Sequence, residues 1–142
     1  MHASLMTLLM VLALLLPGCA ADDPLAELDG ALAKLQEALD EKRNAAVMAK
    51  LHPDFQAGDG LDAEWARRTM TGMFLVHRNV KVIVLSKTRG LAPGALDAAL
   101  VEARVVLTGA ERLVPDQARQ YRVEMEWRRV GTEWLLFRLD WE

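Results

Sequence analysis

Residues 119–142 read RQYRVEMEWRRVGTEWLLFRLDWE. Between Arg119 and Val130 apolar and charged side chains alternate. Tyr121, Val123, Met125 and Trp127 fall on one side, and Arg122, Glu124, Glu126 and Arg128 on the other. A period of two is the mark of a strand with one face buried and one in water. Gly131-Thr132 supplies a tight hairpin signal. Glu133 to Glu142 then reads as a returning strand, with Leu135, Phe137, Leu139 and Trp141 in phase on its inner face. The same count puts Arg138 and Asp140 on the outer, charged face, together with Trp134 and Leu136.

Further toward the N-terminus the same period recurs. Ala98 to Thr108 alternates, with Val101, Ala103, Val105 and Leu107 on one side, and Val80 to Thr88 (VKVIVLSKT) is a further strand. Gly90 to Gly94 is a turn, and Gly109 to Asp116, with Pro115, is a longer connection. Short connections make an antiparallel meander of these strands the economical topology.

Before residue 80 the period changes to that of a helix. Asp23-Pro24 is an N-cap followed by proline at the first helical position. Leu25, Leu28, Leu32, Leu35 and Leu39 then form one apolar stripe. Ala45 to Leu51 predicts a second short helix stopped before Pro53, with Phe55 folding back as a core residue and Gly58-Asp59-Gly60 as a turn. Asp62 caps a helix from Ala63 to His77, whose stripe holds Trp65, Thr69, Met73 and His77 with Met70 and Phe74 beside it; Asn79 closes it. Helices before a bent antiparallel sheet define an α+β domain.

Charge and cysteine content exclude several function classes. The chain has 17 Lys+Arg against 20 Asp+Glu, for a net charge of -3. No nucleic-acid partner is expected, because such binders carry a net basic surface. One cysteine rules out an intrachain disulfide and a cysteine-rich zinc site. The few histidines and the lack of clustered acids predict no metal site, and no cofactor motif is present: neither a glycine-rich phosphate loop nor a serine-nucleophile elbow appears.

The N-terminus is of another kind. Leu5 to Leu16 (LMTLLMVLALLL) is uncharged. As a helix it would be about 18 Å long, too short for a bilayer core and suited to the apolar region of a secretory signal. Leu16-Pro17-Gly18-Cys19 comes directly after it. Leucine three residues before cysteine, with a small residue directly before it, resembles the lipobox of bacterial lipoproteins. The resemblance implies cleavage before Cys19 and acylation of Cys19. It implies a signal peptide over 1–18, a lipidated tether over 19–23 and a folded domain over 24–142. Ala20 rather than aspartate stands after the cysteine, which implies a cell-envelope protein on the outer membrane, facing the periplasm. The tether would reach roughly 14 Å.

The folded part has a resemblance of its own. Leu51-His52-Pro53-Asp54-Phe55, then Tyr121 to Arg129, then Glu133-Trp134-Leu135-Leu136 after a turn, are similar to segments of the nuclear transport factor 2-like superfamily, with its ketosteroid-isomerase-like and polyketide-cyclase-like members. The resemblance implies a cone-shaped sheet wrapped around the long helix and open at one end. It also implies either a binding module or a small isomerase, dehydratase or cyclase acting on an apolar substrate. Trp65, Met73, His77, Tyr121, Trp127, Phe137 and Trp141 are the expected pocket-lining residues for a small hydrophobic ligand; packing the core is the other use of the same side chains.

Three residues are candidates for catalysis. Asp59 falls near the position of the ketosteroid-isomerase base, though between two glycines. His77 sits on the inner helix stripe, either as a base or as a helix-terminal side chain donating to a carbonyl. Tyr121 is the hydrogen-bond donor. The tyrosine-plus-acid oxyanion pair of such isomerases is missing from the expected places, so a non-catalytic binding or accessory module is favoured over an enzyme. The outer sheet face offers a third role, a homodimer or envelope assembly, with Val106, Trp134 and Leu136 as its apolar centre.

Overall fold

The structure, a computed structural model, describes residues 23–76, 79–108 and 119–142. The signal segment, Cys19, His77 and the connection from Gly109 to Asp116 lie outside the described residues.

Helix α1 (Pro24–Asp40) starts as the sequence dictates, with the Leu25 amide donating to Asp23 Oδ1 at 3.0 Å. Leu28 and Leu32 of its stripe are buried, with Leu25 and Leu35 packed beside them. Each such burial is worth about 1.5–3 kcal/mol. The helix ends at a left-handed residue, Lys42 (φ 54°). There the Lys42 and Arg43 amides donate to the Leu39 and Ala38 carbonyls, the pattern of a Schellman cap. Helix α2 (Asn44–Met48) is shorter than its sequence suggests. Strand β1 (Leu51–Ala57) comes directly after it. A two-residue strand β2 (Leu61–Asp62) and helix α3 (Ala63–Val76) come next. The Trp65 amide donates to Asp62 Oδ1 at 2.9 Å, the expected cap. Strands β3 (Lys81–Leu91), β4 (Ala98–Thr108), β5 (Arg119–Val130) and β6 (Glu133–Trp141) complete the chain.

The sheet has six strands in the order β2-β1-β6-β5-β4-β3. It is mixed rather than antiparallel throughout, because β1 runs parallel to β6. That strand escapes sequence reading because Pro53 interrupts it. The pairing skips from Leu51↔Leu136 to Gln56↔Arg138, which leaves the proline, with no N–H to donate, out of the ladder. The Asp54 amide instead donates to His52 Nδ1 at 3.0 Å.

A second irregularity reverses part of β6. Glu126 pairs with Arg138, but Trp127 pairs with Leu136, so Phe137 is the extra residue of a bulge. Leu139 and Trp141 stay in phase with the inner face. Upstream of the bulge the inner residues are Trp134 and Leu136, both buried, not Leu135 and Phe137. This removes Trp134 and Leu136 from the outer face, and with them most of the apolar centre expected for a dimer. The outer face carries charges paired among themselves, including Arg122 with Glu102 and Glu124, and Arg138 with Asp140.

The core joins α1 to the concave side of the sheet through Leu28, Ala31, Leu32, Phe55, Trp127, Trp134 and Leu136. Trp134 Nε1 donates to the Pro24 carbonyl at 3.1 Å. Arg129 reaches Glu27 at 2.9 Å. On the other flank Arg89 Nη2 donates to Asp29 Oδ2 at 2.7 Å. Two arginines from the inner sheet face thus grip the first turns of α1 from β5 and β3.

Candidate functional site

The strands curl away from the second half of α1 and leave a cavity of about 460 Å³ between α1, α3 and the concave sheet face. Its walls are Leu32, Leu35 and Leu39 of α1, Trp65, Ala66 and Met70 of α3, and inner-face residues of every long strand, among them Val84, Ala103, Val105, Val123, Met125 and Leu139. Three polar side chains border it: Gln36, Thr69 and Lys87. A space of that volume is within the size range of small-molecule sites.

The inner-face alternation read from the sequence explains this wall on β4 and β5. On β4 it is made by the small and branched Ala103 and Val105, which is why space remains. On β3 the wall depends on a bulge. Val84 pairs with Val105, but Ser86 pairs with Arg104 and Lys87 with Ala103. Leu85 is therefore the extra residue. Without it, Val82 and Val84 would be succeeded on the inner face by Ser86 and Thr88; with it, Lys87, Arg89 and Leu91 turn inward. The interrupted alternation in Val84-Leu85-Ser86 is the only sequence trace of this.

The expected site residues are dispersed. Trp65 lines the cavity and stacks on Trp141, with ring centroids 6.1 Å apart and planes 8° apart. Trp141 thus backs the Trp65 wall from its outer side. Trp127 is fully buried in the core and does not reach the cavity; its Nε1 has no hydrogen-bond partner among the described residues. Phe137, the bulge residue, is covered by Arg128 at 3.4 Å from its centroid and meets the His52 ring edge-on at 5.2 Å. Met73 is half-buried but outside the lining, where Met70 takes the place expected for it. Tyr121 is half-buried beneath the Arg119 guanidinium, 5.5 Å away, and also lies outside the lining. Asp59 is exposed in its glycine turn. Asp59 and Tyr121 are not brought together at the cavity. Of the expected pocket-lining set Trp65 alone is in the described wall, and the rest of that wall, Gln36, Lys87 and Ala103 included, lies outside the set.

Electrostatically, among the described residues the cavity wall carries one ionisable side chain, Lys87. Nearby, Asp29 is held below the usual carboxylate range chiefly by its hydrogen bonds from Arg89, against the opposing effect of desolvation, with the charges of Arg89 and Lys87 adding to the lowering. Arg89 is raised by the same hydrogen bonds. No carboxylate or imidazole among the described residues lines the cavity, so those residues offer no proton-transfer pair. No group of three or more metal-ligating side chains comes together among them either, and no helix there is long and apolar enough to cross a membrane.

No family model matches the chain, and no curated protein sequence does. Solved structures match its fold. A nuclear transport factor 2-like protein of unknown function from Pseudomonas putida superposes with a TM-score of 0.66 at 14% identity, over 86% of this chain and 89% of that one. A candidate scytalone dehydratase from Novosphingobium aromaticivorans gives a TM-score of 0.63 at 10% identity, over 83% of this chain and 82% of that one. Bd1075 of Bdellovibrio bacteriovorus gives 0.70 at 11% identity over 82% of this chain, which spans only 39% of that protein. At these identities the likeness establishes the cone-shaped nuclear transport factor 2-like fold and nothing about activity.

Proposed function

We propose that this chain is a non-catalytic binding module of the bacterial cell envelope, held to the membrane through a lipid on Cys19, whose cone takes up a small hydrophobic ligand. The observation that carries the binding half is the cavity of about 460 Å³, walled by aliphatic, thioether and indole groups with Gln36, Thr69 and Lys87 at its border. The apolar walls of this half-open chamber lack dispersion partners across it, and an apolar guest supplies them. The anchoring half rests on the uncharged run Leu5 to Leu16 ending in Leu16-Pro17-Gly18-Cys19. The short tether from Ala20 to Asp23 would hold the domain against the bilayer, on the outer membrane facing the periplasm.

A catalytic reading gains little from the described cavity wall. Fold relatives include a candidate dehydratase, but that chemistry needs an acid or base beside the substrate.

Trp65 provides the test. A long-chain alcohol brominated on its tail should quench indole fluorescence saturably, and Trp65→Phe should remove most of the saturable quenching. Quenching that rises linearly with concentration, or that survives Trp65→Phe unchanged, would overturn the cavity as the binding site.

A further inference from the structure

Lys87 is the inward cation of the cavity wall, and it faces inward only because of the Leu85 bulge. The pairing of Lys87 with Ala103 puts both on the concave face, and Ala103 is buried there against the cavity. A bulge on one strand re-aims every side chain beyond it. Here it replaces Ser86 and Thr88 with Lys87 and Arg89 on the inner side. The two cations then part ways. Arg89 is committed to Asp29, with two hydrogen bonds to the carboxylate. Lys87 takes part in no ion pair among the described residues; the nearby carboxylate of Asp29 feels its charge but has both oxygens hydrogen-bonded by Arg89. Lys87 is exposed enough to keep its ammonium solvated. It therefore stands charged at the border of an apolar chamber, with the Gln36 amide also on that border.

We infer that the cavity is built for a single-chain amphiphile with one anionic head. Its apolar tail lies among Leu32, Met70, Val105 and Leu139, and its head meets the Lys87 ammonium. The inference rests on the cavity-binding reading above and adds the charge and shape of the ligand. A neutral apolar guest would leave the cation without a counter-charge. A cationic guest would be repelled, since no carboxylate lines the described wall. An inward lysine on an edge strand also discourages edge-to-edge pairing. That role asks for no particular guest, so selectivity separates the two.

The experiment is calorimetric titration of the full chain with dodecanoate, dodecanol and dodecylammonium, the two ions below their micelle concentrations and the alcohol below its solubility limit. Dodecanoate should bind about tenfold more tightly than dodecanol, as expected for one charge-assisted contact at a partly exposed site, and dodecylammonium most weakly. In Lys87→Met the ratio of carboxylate to alcohol affinity should fall to about one, and in Lys87→Arg it should be kept. Raising the salt should narrow the ratio in the unaltered protein. Binding of dodecanol as tight as dodecanoate, or a ratio indifferent to Lys87→Met, would overturn the anionic head while leaving the cavity reading intact. Failure of all three to bind would overturn both.

Discussion

Ala103→Ile tests whether the cone is a void or a packed core. Ala103 is buried, with 4% of its surface exposed, in the middle of β4 with its Cβ on the cavity wall. Isoleucine adds three carbons there, worth about 2.4 kcal/mol at about 0.8 kcal/mol per buried carbon. Fixing its side chain removes about 0.5–1 kcal/mol, and β-branching suits a strand. The net expectation is a stabilisation of about 1.5 kcal/mol, or roughly 6 °C in melting temperature for a domain of this size. The added atoms occupy space the ligand would use, so binding of a long-chain alcohol should weaken in the same variant. Urea unfolding monitored by circular dichroism gives the first quantity and calorimetry the second. If the chamber is closed by side-chain rearrangement in solution, isoleucine would instead overpack it and destabilise by about 1–3 kcal/mol. A fall in stability would therefore refute the reasoning behind both the volume and the proposed function.

Other outcomes depend on single contacts. Trp134→Phe and Trp127→Phe remove the same atoms from two buried sites, but only Trp134 loses a hydrogen bond, its 3.1 Å contact to Pro24. Trp134→Phe should be the more destabilising by about 2 kcal/mol; equal midpoints in urea would mean that a partner serves Trp127 Nε1. Lys42→Gly relieves a left-handed backbone at φ 54° and should raise stability by about 0.5–1 kcal/mol, read as a higher melting temperature. Because Asp29 titrates below its ordinary value of 3.8 in the fold, its contribution is present above about pH 4 and is lost as pH falls through the depressed folded value. The melting-temperature gap between the protein and Asp29→Asn should therefore hold at pH 6 and close on acidification toward pH 3; a gap that widens would reverse the assigned sign. Cys19→Ala should abolish fatty-acyl labelling and release the protein from membranes, and continued membrane fractionation would remove the lipobox reading.

Helix α1 could be read directly because everything that makes it is local: Asp23 and Pro24 at its start and a leucine stripe at helical spacing. The same holds for α3 with its Asp62 cap, and for β4 and β5, whose alternation runs unbroken. Strand β1 could not be read so: Leu51, Pro53, Phe55 and Ala57 do alternate with His52, Asp54 and Gln56, but Pro53 within the run argues against a strand, and it is one because β6 offers it a partner. The two bulges were hidden for a similar reason. A bulge is a relation between two strands, and a shift of one residue exchanges the faces. That exchange puts Phe137 outside and Trp134 inside, and it turns Lys87 into the cone. Trp65 was visible as a site residue because its helix stripe needs no partner to define it.

By itself the sequence determined an α+β chain, with its capped helices in the first half and its alternating strands in the second, and a net charge of -3; the attachment role of the lone cysteine is a proposal that rests on the N-terminal segment alone. These depend on composition and on periods measured along one segment. Only the tertiary structure decided which side chains meet the cavity, how large it is, and that its one described cation is an inward lysine. Those properties come from strand register, set by hydrogen bonds between segments far apart in the chain, where one inserted residue reverses what every later side chain faces.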